Sequence, residues 1–172
     1  VHHTEEVETY SIKKINSELA VAIKYPGFDG YYCMTNQGFE MTTLGDFIDS
    51  LNLEEYVSFG SLSFTYLDKS GELWDIEYKD IDNKDVYRYF FSDKSKPLVF
   101  EDGTYANSTR LFGIAINNVA IGAENLALQV FDNGIVETNL LSVGKWWDIG
   151  SENAKKFLDN IERKYQGYAI KY

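Results

Sequence analysis

The sequence predicts an α+β fold in which antiparallel hairpins are each followed by a helix, with the helices on one side of the sheet. Two observations carry this prediction. Four short glycine-containing turns separate aromatic and β-branched runs, which is typical of β-hairpins. Three other segments place apolar residues at helical spacing behind a capping residue. Hairpins interrupted by helices favour an antiparallel sheet over a parallel one.

The strands are predicted from these turns and from alternating apolar residues. The segment "SLSFTYLD" places Leu62, Phe64 and Tyr66 on one face, and "LALQVF" does the same with Leu126, Leu128 and Val130. Two further strands are expected around Cys33 and Phe39. The predicted turns are "TNQGFE" at 35–40, "LDKSGEL" at 67–73, "FEDGTY" at 100–105 and "FDNGIV" at 131–136.

Three helices are predicted from capping residues and apolar stripes. Thr42 or Thr43 caps a helix that runs to about Leu53, and Asp82 caps a shorter one. Ser151 caps the last helix, which has the clearest amphipathic pattern. Its apolar stripe consists of Ala154, Phe157, Leu158, Ile161 and Tyr165.

A six-residue string, Gly-x-x-Trp-Asp-Ile, occurs at 71–76 and again at 144–149. In both places it closes a predicted hairpin ahead of a helix, which indicates an internal repeat, although chance recurrence is the alternative. Residues 1–172 are therefore predicted to form a single domain, with two related halves at about 30–95 and 96–172 as one possibility. The polar residues 1–8 are predicted to be disordered.

The second copy of this string contains adjacent tryptophans. Neighbouring side chains of a strand point to opposite faces, so Trp146 and Trp147 cannot both enter one core. Trp147 matches Trp74 of the first copy and is predicted to be buried. Trp146 replaces Leu73 of the first copy, so Trp146 is predicted to be the more exposed indole and, with Asp148, a candidate for binding.

Charge restricts the partners. A formal net charge of −11 and a pI near 4.6 exclude nucleic acid and disfavour an anionic membrane surface. No apolar run approaches the length of a membrane span, so membrane insertion is not expected. A protein partner, a cation or a neutral ligand remains compatible, and the acidity also serves solubility.

Few residues offer catalytic or metal-binding chemistry. His2 and His3 are the only histidines and lie at the terminus, which argues against histidine-based catalysis. Cys33 is the only cysteine, so we expect a buried thiol and no internal disulfide. No cofactor and no metal site are predicted, because phosphate-binding glycine loops do not occur and "DIDNKD" at 80–85 departs from a calcium loop.

Carboxylates and aromatic residues are the remaining candidates. Asp75 with Glu77, or Glu137 with Asp148, could formally act as a glycosidase-like pair. The chain also contains 13 Tyr, 11 Phe and 3 Trp, more than a core of this size absorbs. Tyrosine is favoured at interfaces because its ring can be buried while its hydroxyl stays hydrated. We therefore predict that Tyr31 and Tyr32 contribute to a binding surface.

Residues 132–161, "DNGIVETNLLSVGKWWDIGSENAKKFLDNI", combine an Asn-Gly turn, a Thr-Asn strand end, a glycine-led second strand and an Ile-Gly step into a helix. This segment resembles uncharacterised extracytoplasmic regions of Gram-positive bacterial proteins, including lipoproteins and domains attached to membrane metallopeptidase sensors. The resemblance implies an outside-facing, non-catalytic domain. The HExxH motif of metallopeptidases does not occur in the sequence.

These features together predict a non-enzymatic bacterial interaction or ligand-binding domain that uses an aromatic-rich acidic surface. The expected location is extracytoplasmic, either secreted or tethered to the cell surface. The alternative is a cytoplasmic immunity or inhibitor protein that binds a basic toxin or enzyme, since an acidic surface attracts a basic partner. A carboxylate-dependent enzyme that acts on glycans is the third possibility.

Overall fold

The computed structural model describes residues 6–99, 107–141 and 144–171. Within these ranges the protein has ten strands, four α-helices and one 3₁₀ turn at Val119–Ile121. The helices are α1 Leu44–Ser50, α2 Leu53–Tyr56, α3 Asn83–Phe90 and α4 Ser151–Lys164. The strands are β1 Glu8–Ser11, β2 Ala20–Lys24, β3 Tyr32–Thr35, β4 Val57–Leu67, β5 Leu73–Tyr78, β6 Arg110–Asn118, β7 Ala123–Phe131, β8 Ile135–Thr138, β9 Lys145–Asp148 and β10 Gly167–Lys171.

The strands form two antiparallel sheets. A three-stranded sheet has the order β1-β2-β3, and a seven-stranded sheet has the order β10-β5-β4-β6-β7-β8-β9. The C-terminal strand β10 returns to pair with β5, so that Gly167 and Leu62 both lie opposite Tyr78. Strands from both predicted halves of the chain therefore belong to one sheet, and duplication of the halves stays a prediction.

The helices lie on one face of the large sheet, as an α+β fold requires. Phe90 of α3 and Phe157 of α4 both pack against Phe112 of β6, with ring centroids 6.4 and 5.6 Å apart. Phe47 of α1 packs against Trp147 of β9 on the same side. All five side chains are fully buried, so this interface between helices and sheet forms the hydrophobic core. The predicted fold class is confirmed.

Two of the predicted helix starts are confirmed. Thr43 caps α1 through a reciprocal capping box, in which its hydroxyl accepts the Asp46 N–H at 3.1 Å. Asp82 caps α3 by accepting the Lys84 N–H at 2.9 Å. The predicted extension of the first helix to Leu53 is wrong, because Asn52 adopts a left-handed φ of 44° and separates α1 from α2.

The start of the last helix differs by one residue from the prediction. Gly150, with a φ of 82°, occupies the capping position, and Ser151 is already helical. The carboxylate of Asp148 accepts the Gly150 N–H at 2.6 Å and fixes this turn. Tyr165 directly follows α4, and its hydroxyl oxygen accepts the Asp82 N–H at 3.0 Å. This hydrogen bond links the C-terminal end of α4 to the start of α3.

The hairpin predictions have mixed outcomes. The turns at 67–73 and 131–136 connect β4 to β5 and β7 to β8. The turn at 100–105 lies outside the described residues. The strand predicted around Phe39 is wrong, because the Asn36 carboxamide accepts the Gly38 N–H at 3.0 Å and holds a local turn. The strand that contains Cys33 pairs instead with β2.

The three-stranded sheet was not predicted as a unit, and it supplies the candidate functional surface. Its strands are short, and β1 is exposed along its whole length. Buried residues Ile15, Leu19 and Ala20 connect this sheet to the core, and the Asn16 N–H donates to the Ser50 carbonyl of α1 at 3.0 Å. Glu8 is the first residue of β1, whereas residues 1–5 of the segment predicted to be disordered lie outside the described ranges.

Candidate binding surface

Large apolar side chains are exposed together on the three-stranded sheet and its connecting loop. Tyr31 and Tyr32, both predicted from the sequence as binding residues, lie among them. We call this group the aromatic surface and define it by five residues with their exposed fractions: Tyr10 41%, Phe28 60%, Tyr31 60%, Tyr32 50% and Met34 51%. Several large apolar side chains exposed close together in the chain mark interaction sites more often than isolated ones do.

Strand register places the aromatic surface on both faces of the small sheet. Tyr10 lies opposite Ala22, which in turn lies opposite Cys33, so these three side chains share one face. Tyr32 lies opposite Ile23 and therefore points to the other face. The five residues are therefore spread over both faces of the small sheet and the loop that joins β2 to β3.

Ring contacts hold the aromatic surface in place. The rings of Tyr10 and Tyr31 meet edge to face with centroids 5.4 Å apart. Tyr25, which is half-buried, meets Tyr32 in the same way at 5.6 Å. Edge-to-face pairs of this kind contribute about 0.5–1.5 kcal/mol beyond area burial. These contacts therefore fix the orientations of the Tyr31 and Tyr32 rings before any partner binds.

A cavity of about 490 Å³ opens beside this surface, between the small sheet and the 3₁₀ turn. Tyr31, Tyr32 and Cys33 line one side, and Val119 and Ile121 line the other. Its volume lies in the range of small-molecule and side-chain pockets. Cys33 is half-buried, whereas the sequence predicts a buried thiol, and this partial burial raises the pKa of the thiol.

Charged groups border the aromatic surface. The Tyr10 hydroxyl donates to the Glu8 carboxylate, and this hydrogen bond raises the pKa of Tyr10. The Lys24 ammonium lies 5.7 Å from the centroid of the Tyr31 ring. Glu6 and Glu8 line a smaller cavity of about 160 Å³ next to Lys24. Acidic groups are thus part of the boundary of this surface.

Trp146 and Asp148, the other two predicted binding residues, lie on the large sheet rather than on the small one. Both belong to the edge strand β9 and point to the face opposite the helices. The structure therefore distributes the four predicted residues over two sheets. Asp148 is exposed, but its carboxylate accepts the Gly150 N–H, so it serves the turn into α4.

The contrast between the two adjacent tryptophans is confirmed. Trp147 has no exposed surface, whereas Trp146 is partly exposed. Trp146 lies opposite Glu137 on β8, and burial raises the pKa of that carboxyl group. The indole also lies against Gly144, where an added Cβ would be 2.4 Å from the ring. Trp146 is therefore held in place by its neighbours.

The carboxylate pairs considered for catalysis are engaged in the sheet. Asp75 accepts the Thr65 hydroxyl across the strands at 2.5 Å, and Glu77 forms an ion pair with Lys79 at 3.2 Å. Hydrogen bonding to Ser61 and this ion pair lower the pKa of Glu77. Within the described ranges, no three potential metal ligands cluster around one point. The glycan-acting enzyme remains a prediction that these contacts do not favour.

The architecture defines an α+β protein with helices on one face of a seven-stranded antiparallel sheet and a separate three-stranded sheet. Comparisons with protein-family models, with curated proteins and with solved structures find no match for this chain. Among the described residues, none of the helices has the length and apolar character needed to cross a bilayer. The site itself must therefore carry the functional inference.

Proposed function

We propose that this protein is a non-enzymatic interaction domain that binds a protein partner through the aromatic surface. The observation that supports the proposal is that Tyr10, Phe28, Tyr31, Tyr32 and Met34, each at least 41% exposed, lie on one small sheet and the loop that joins β2 to β3. Exposing this much apolar area to water is unfavourable, and binding would remove the cost.

The chemistry of the partner follows from charge and shape. With a net charge of −11, the protein attracts a positively charged protein and repels an acidic one. Glu6 and Glu8 beside the aromatic surface can meet basic side chains of the partner. The cavity of about 490 Å³ beside Tyr31 can accept an apolar side chain. The partner that fits is a basic protein that inserts an apolar residue beside Tyr31.

We propose a location outside the bacterial membrane, secreted or tethered to the surface, on the resemblance of residues 132–161 to extracytoplasmic regions. A second candidate shares the same surface: a cytoplasmic immunity or inhibitor protein that neutralises a basic toxin or enzyme. The net charge of −11 favours this candidate as well. A neighbouring gene for a large basic toxin would support the second candidate, and a signal peptide in the full-length gene would oppose it.

Site-specific photocrosslinking followed by affinity measurement tests the proposal. A photoreactive phenylalanine analogue is placed at Tyr31 or Tyr32, and a third variant carries it at Tyr66, a tyrosine of β4 with 36% of its surface exposed. We expect one basic protein to crosslink at positions 31 and 32 and not at 66. Equal crosslinking at all three positions would contradict the assignment of the surface.

Affinity for that purified protein then gives the energetic test. Truncation of Tyr31 or Tyr32 to Ala is expected to weaken binding by about tenfold or more, as for interface tyrosines at hot spots. Tyr66→Ala is the matched control and should leave the affinity unchanged. Added salt should slow association, because an acidic surface steers a basic partner. An affinity that is indifferent to both tyrosines would overturn the proposal.

A further inference from the structure

A second cavity shares no lining residue with the one beside the aromatic surface and has a different chemical character. It has a volume of about 680 Å³ and opens between α2, the start of β4 and α3. Val57, Phe59 and Tyr87 supply its apolar lining. Phe59 and Tyr87 both pack on the buried ring of Phe91, with centroids 5.8 and 5.4 Å away. Packed aromatic rings therefore form the floor of the cavity, and the cavity has a volume suited to a small molecule.

The α3 side of this cavity carries positive charge. Lys84 and Arg88 are four residues apart on the helix, so they occupy one face of it, and both line the cavity. Neither forms an ion pair with a residue in the described ranges. Arg88 instead lies 5.4 Å from the centroid of the Tyr89 ring. The pKa of Asp85 is lowered mainly by Lys164, and Arg88 contributes to this shift but forms no ion pair with Asp85. Both cations are therefore available to a ligand at the cavity.

The opposite side of the cavity is acidic, and most of its charge is compensated. Glu54 forms an ion pair with Lys94 at 3.0 Å, and Glu55 forms one with Lys14 at 2.5 Å. Carboxylates Asp49 and Glu54 raise the pKa of Lys94, which keeps that lysine charged. Lys94 is shared, because it also pairs with Asp49 at 2.8 Å, so this side keeps a net charge of −1 from three carboxylates and two lysines. The positive charge available to a ligand is that of α3.

A hydrogen-bond donor adds to this positive side. The side-chain carbonyl oxygen of Asn83 accepts the Phe59 N–H at 3.0 Å, which leaves the side-chain amide nitrogen as a donor at the cavity. The Tyr87 hydroxyl is buried without a hydrogen-bond partner among the described residues. Burial, with a smaller contribution from Glu54, raises the pKa of Tyr87 to about 12, so the hydroxyl keeps its proton. The Tyr87 oxygen has almost no accessible surface, so this side chain offers a ligand its ring rather than its hydroxyl.

We propose that this cavity binds a small carboxylate whose body is flat and apolar. The carboxylate would lie against Lys84 and Arg88, where a guanidinium can bind it with two parallel hydrogen bonds. The flat body would pack on Phe59 and Tyr87. A monoanion fits better than a dianionic phosphate, because Glu54 and Glu55 stand on the other side of the same cavity.

Three probes that differ in charge but share one ring system test the proposal: indole-3-acetate, neutral 3-methylindole and cationic tryptamine. Each is titrated into the isotopically labelled full chain, and backbone amide shifts are followed. Indole-3-acetate should bind saturably with shifts confined to α2, the start of β4 and α3. The other two should bind at least about tenfold more weakly, which corresponds to one lost charge-assisted contact. Equal binding of all three, or no saturable shift on α3, would overturn the proposal.

Charge-matched variants complete the test. Replacing both Lys84 and Arg88 by Gln should weaken indole-3-acetate binding by about tenfold or more. The control replaces Lys155 and Lys156, exposed residues of α4, by Gln and changes the net charge by the same amount. Binding that weakens equally in both pairs would assign the effect to overall charge and contradict a specific site. The amide spectrum of each free variant establishes that it is folded.

Discussion

The indole N–H of Trp147 donates a 2.9 Å hydrogen bond to the carbonyl oxygen of Phe90, the last residue of α3. The same indole packs between Phe47 of α1 and Phe91, with ring centroids 6.3 and 5.3 Å away. Trp147 therefore links the edge strand β9 to two helices. Its polar atom satisfies a helix-terminal carbonyl that would otherwise lack a partner.

Truncation of this side chain should be strongly destabilising. Trp147→Ala removes a fully buried indole, and we expect it to lower the free energy of unfolding by about 3–5 kcal/mol. Trp147→Phe retains most of the packing but leaves the Phe90 carbonyl unpaired, which should cost about 1–3 kcal/mol. Urea unfolding followed by circular dichroism measures both changes. The control, Trp146→Ala, should cost less than Trp147→Ala, and the reverse order would refute this assignment.

Two Tyr→Phe substitutions should shift stability in opposite directions. Tyr87→Phe removes a buried hydroxyl that has no partner in the described part of the chain, so the free protein should be unchanged or more stable by up to about 1 kcal/mol. Tyr165→Phe removes the acceptor of the Asp82 N–H and should destabilise by about 1 kcal/mol. Thermal unfolding of both variants measures the sign. Destabilisation by Tyr87→Phe would indicate that its hydroxyl is already satisfied.

Local signals made part of this fold predictable. Thr43 and Asp82 cap their helices with atoms two or three residues away, so short sequence windows contain the whole interaction. The burial of Trp147 followed from strand alternation and from its match with Trp74. That match has limits, because the Trp74 indole is only partly buried and donates to Asp68 at 3.1 Å.

Other features depend on contacts that the sequence does not display. Strand β10 pairs with β5 about ninety residues earlier, as Ile170 opposite Asp75 shows, and no local pattern encodes such a partner. The end of α1 depends on one residue, Asn52, that can adopt a left-handed conformation. Of the candidate site residues, Tyr31 and Tyr32 could be predicted from the aromatic composition of the sequence. The cavity at α3 was missed, although the spacing of Lys84 and Arg88 gave a signal.

The capping box of α1 should make stability depend on pH. The Asp46 carboxylate accepts the N–H groups of Thr42 and Thr43 at 2.9 Å, and these bonds, with the one to Thr43 foremost, lower its pKa below the usual 3.8. Because the pKa of Asp46 is lower in the folded protein than in the unfolded chain, its carboxylate stabilises the fold fully at pH values above the unfolded-state pKa. This stabilisation is lost as the pH falls through the pKa that Asp46 has in the folded protein.

Denaturant unfolding measured at several pH values tests this dependence. Asp46→Asn should reduce the loss of stability that the wild-type protein shows as the pH falls below about 4. Thr43→Ala, which removes the reciprocal bond, should cost about 1 kcal/mol at neutral pH. Asp159→Asn on the exposed face of α4 is the control and should leave the pH profile unchanged. Identical profiles for Asp46→Asn and the wild type would contradict a role for this carboxylate.

Substitution of Gly134 should destabilise the protein by more than the positive φ of its turn alone would cause. It lies in the β7–β8 turn with a φ of 89°, and its carbonyl accepts the Ile149 N–H at 3.0 Å. A Cβ at this position would lie 2.2 Å from the carbonyl carbon of Gly150 and 2.4 Å from the Ser151 nitrogen. These neighbours are backbone atoms at the start of α4, so they cannot move aside without displacing the helix.

Gly150 provides a matched control for this effect. Its φ of 82° is also positive, but a Cβ there meets no atom within 4 Å. Gly150→Ala should therefore cost only the backbone strain, about 1–3 kcal/mol. Gly134→Ala adds the collision and should exceed about 4 kcal/mol, a range that single substitutions seldom reach. Urea unfolding compares the free energies of unfolding of the two variants, and hydrogen exchange of the Ile149 amide reports on the turn itself. Equal losses of stability would show that the turn can move away from α4.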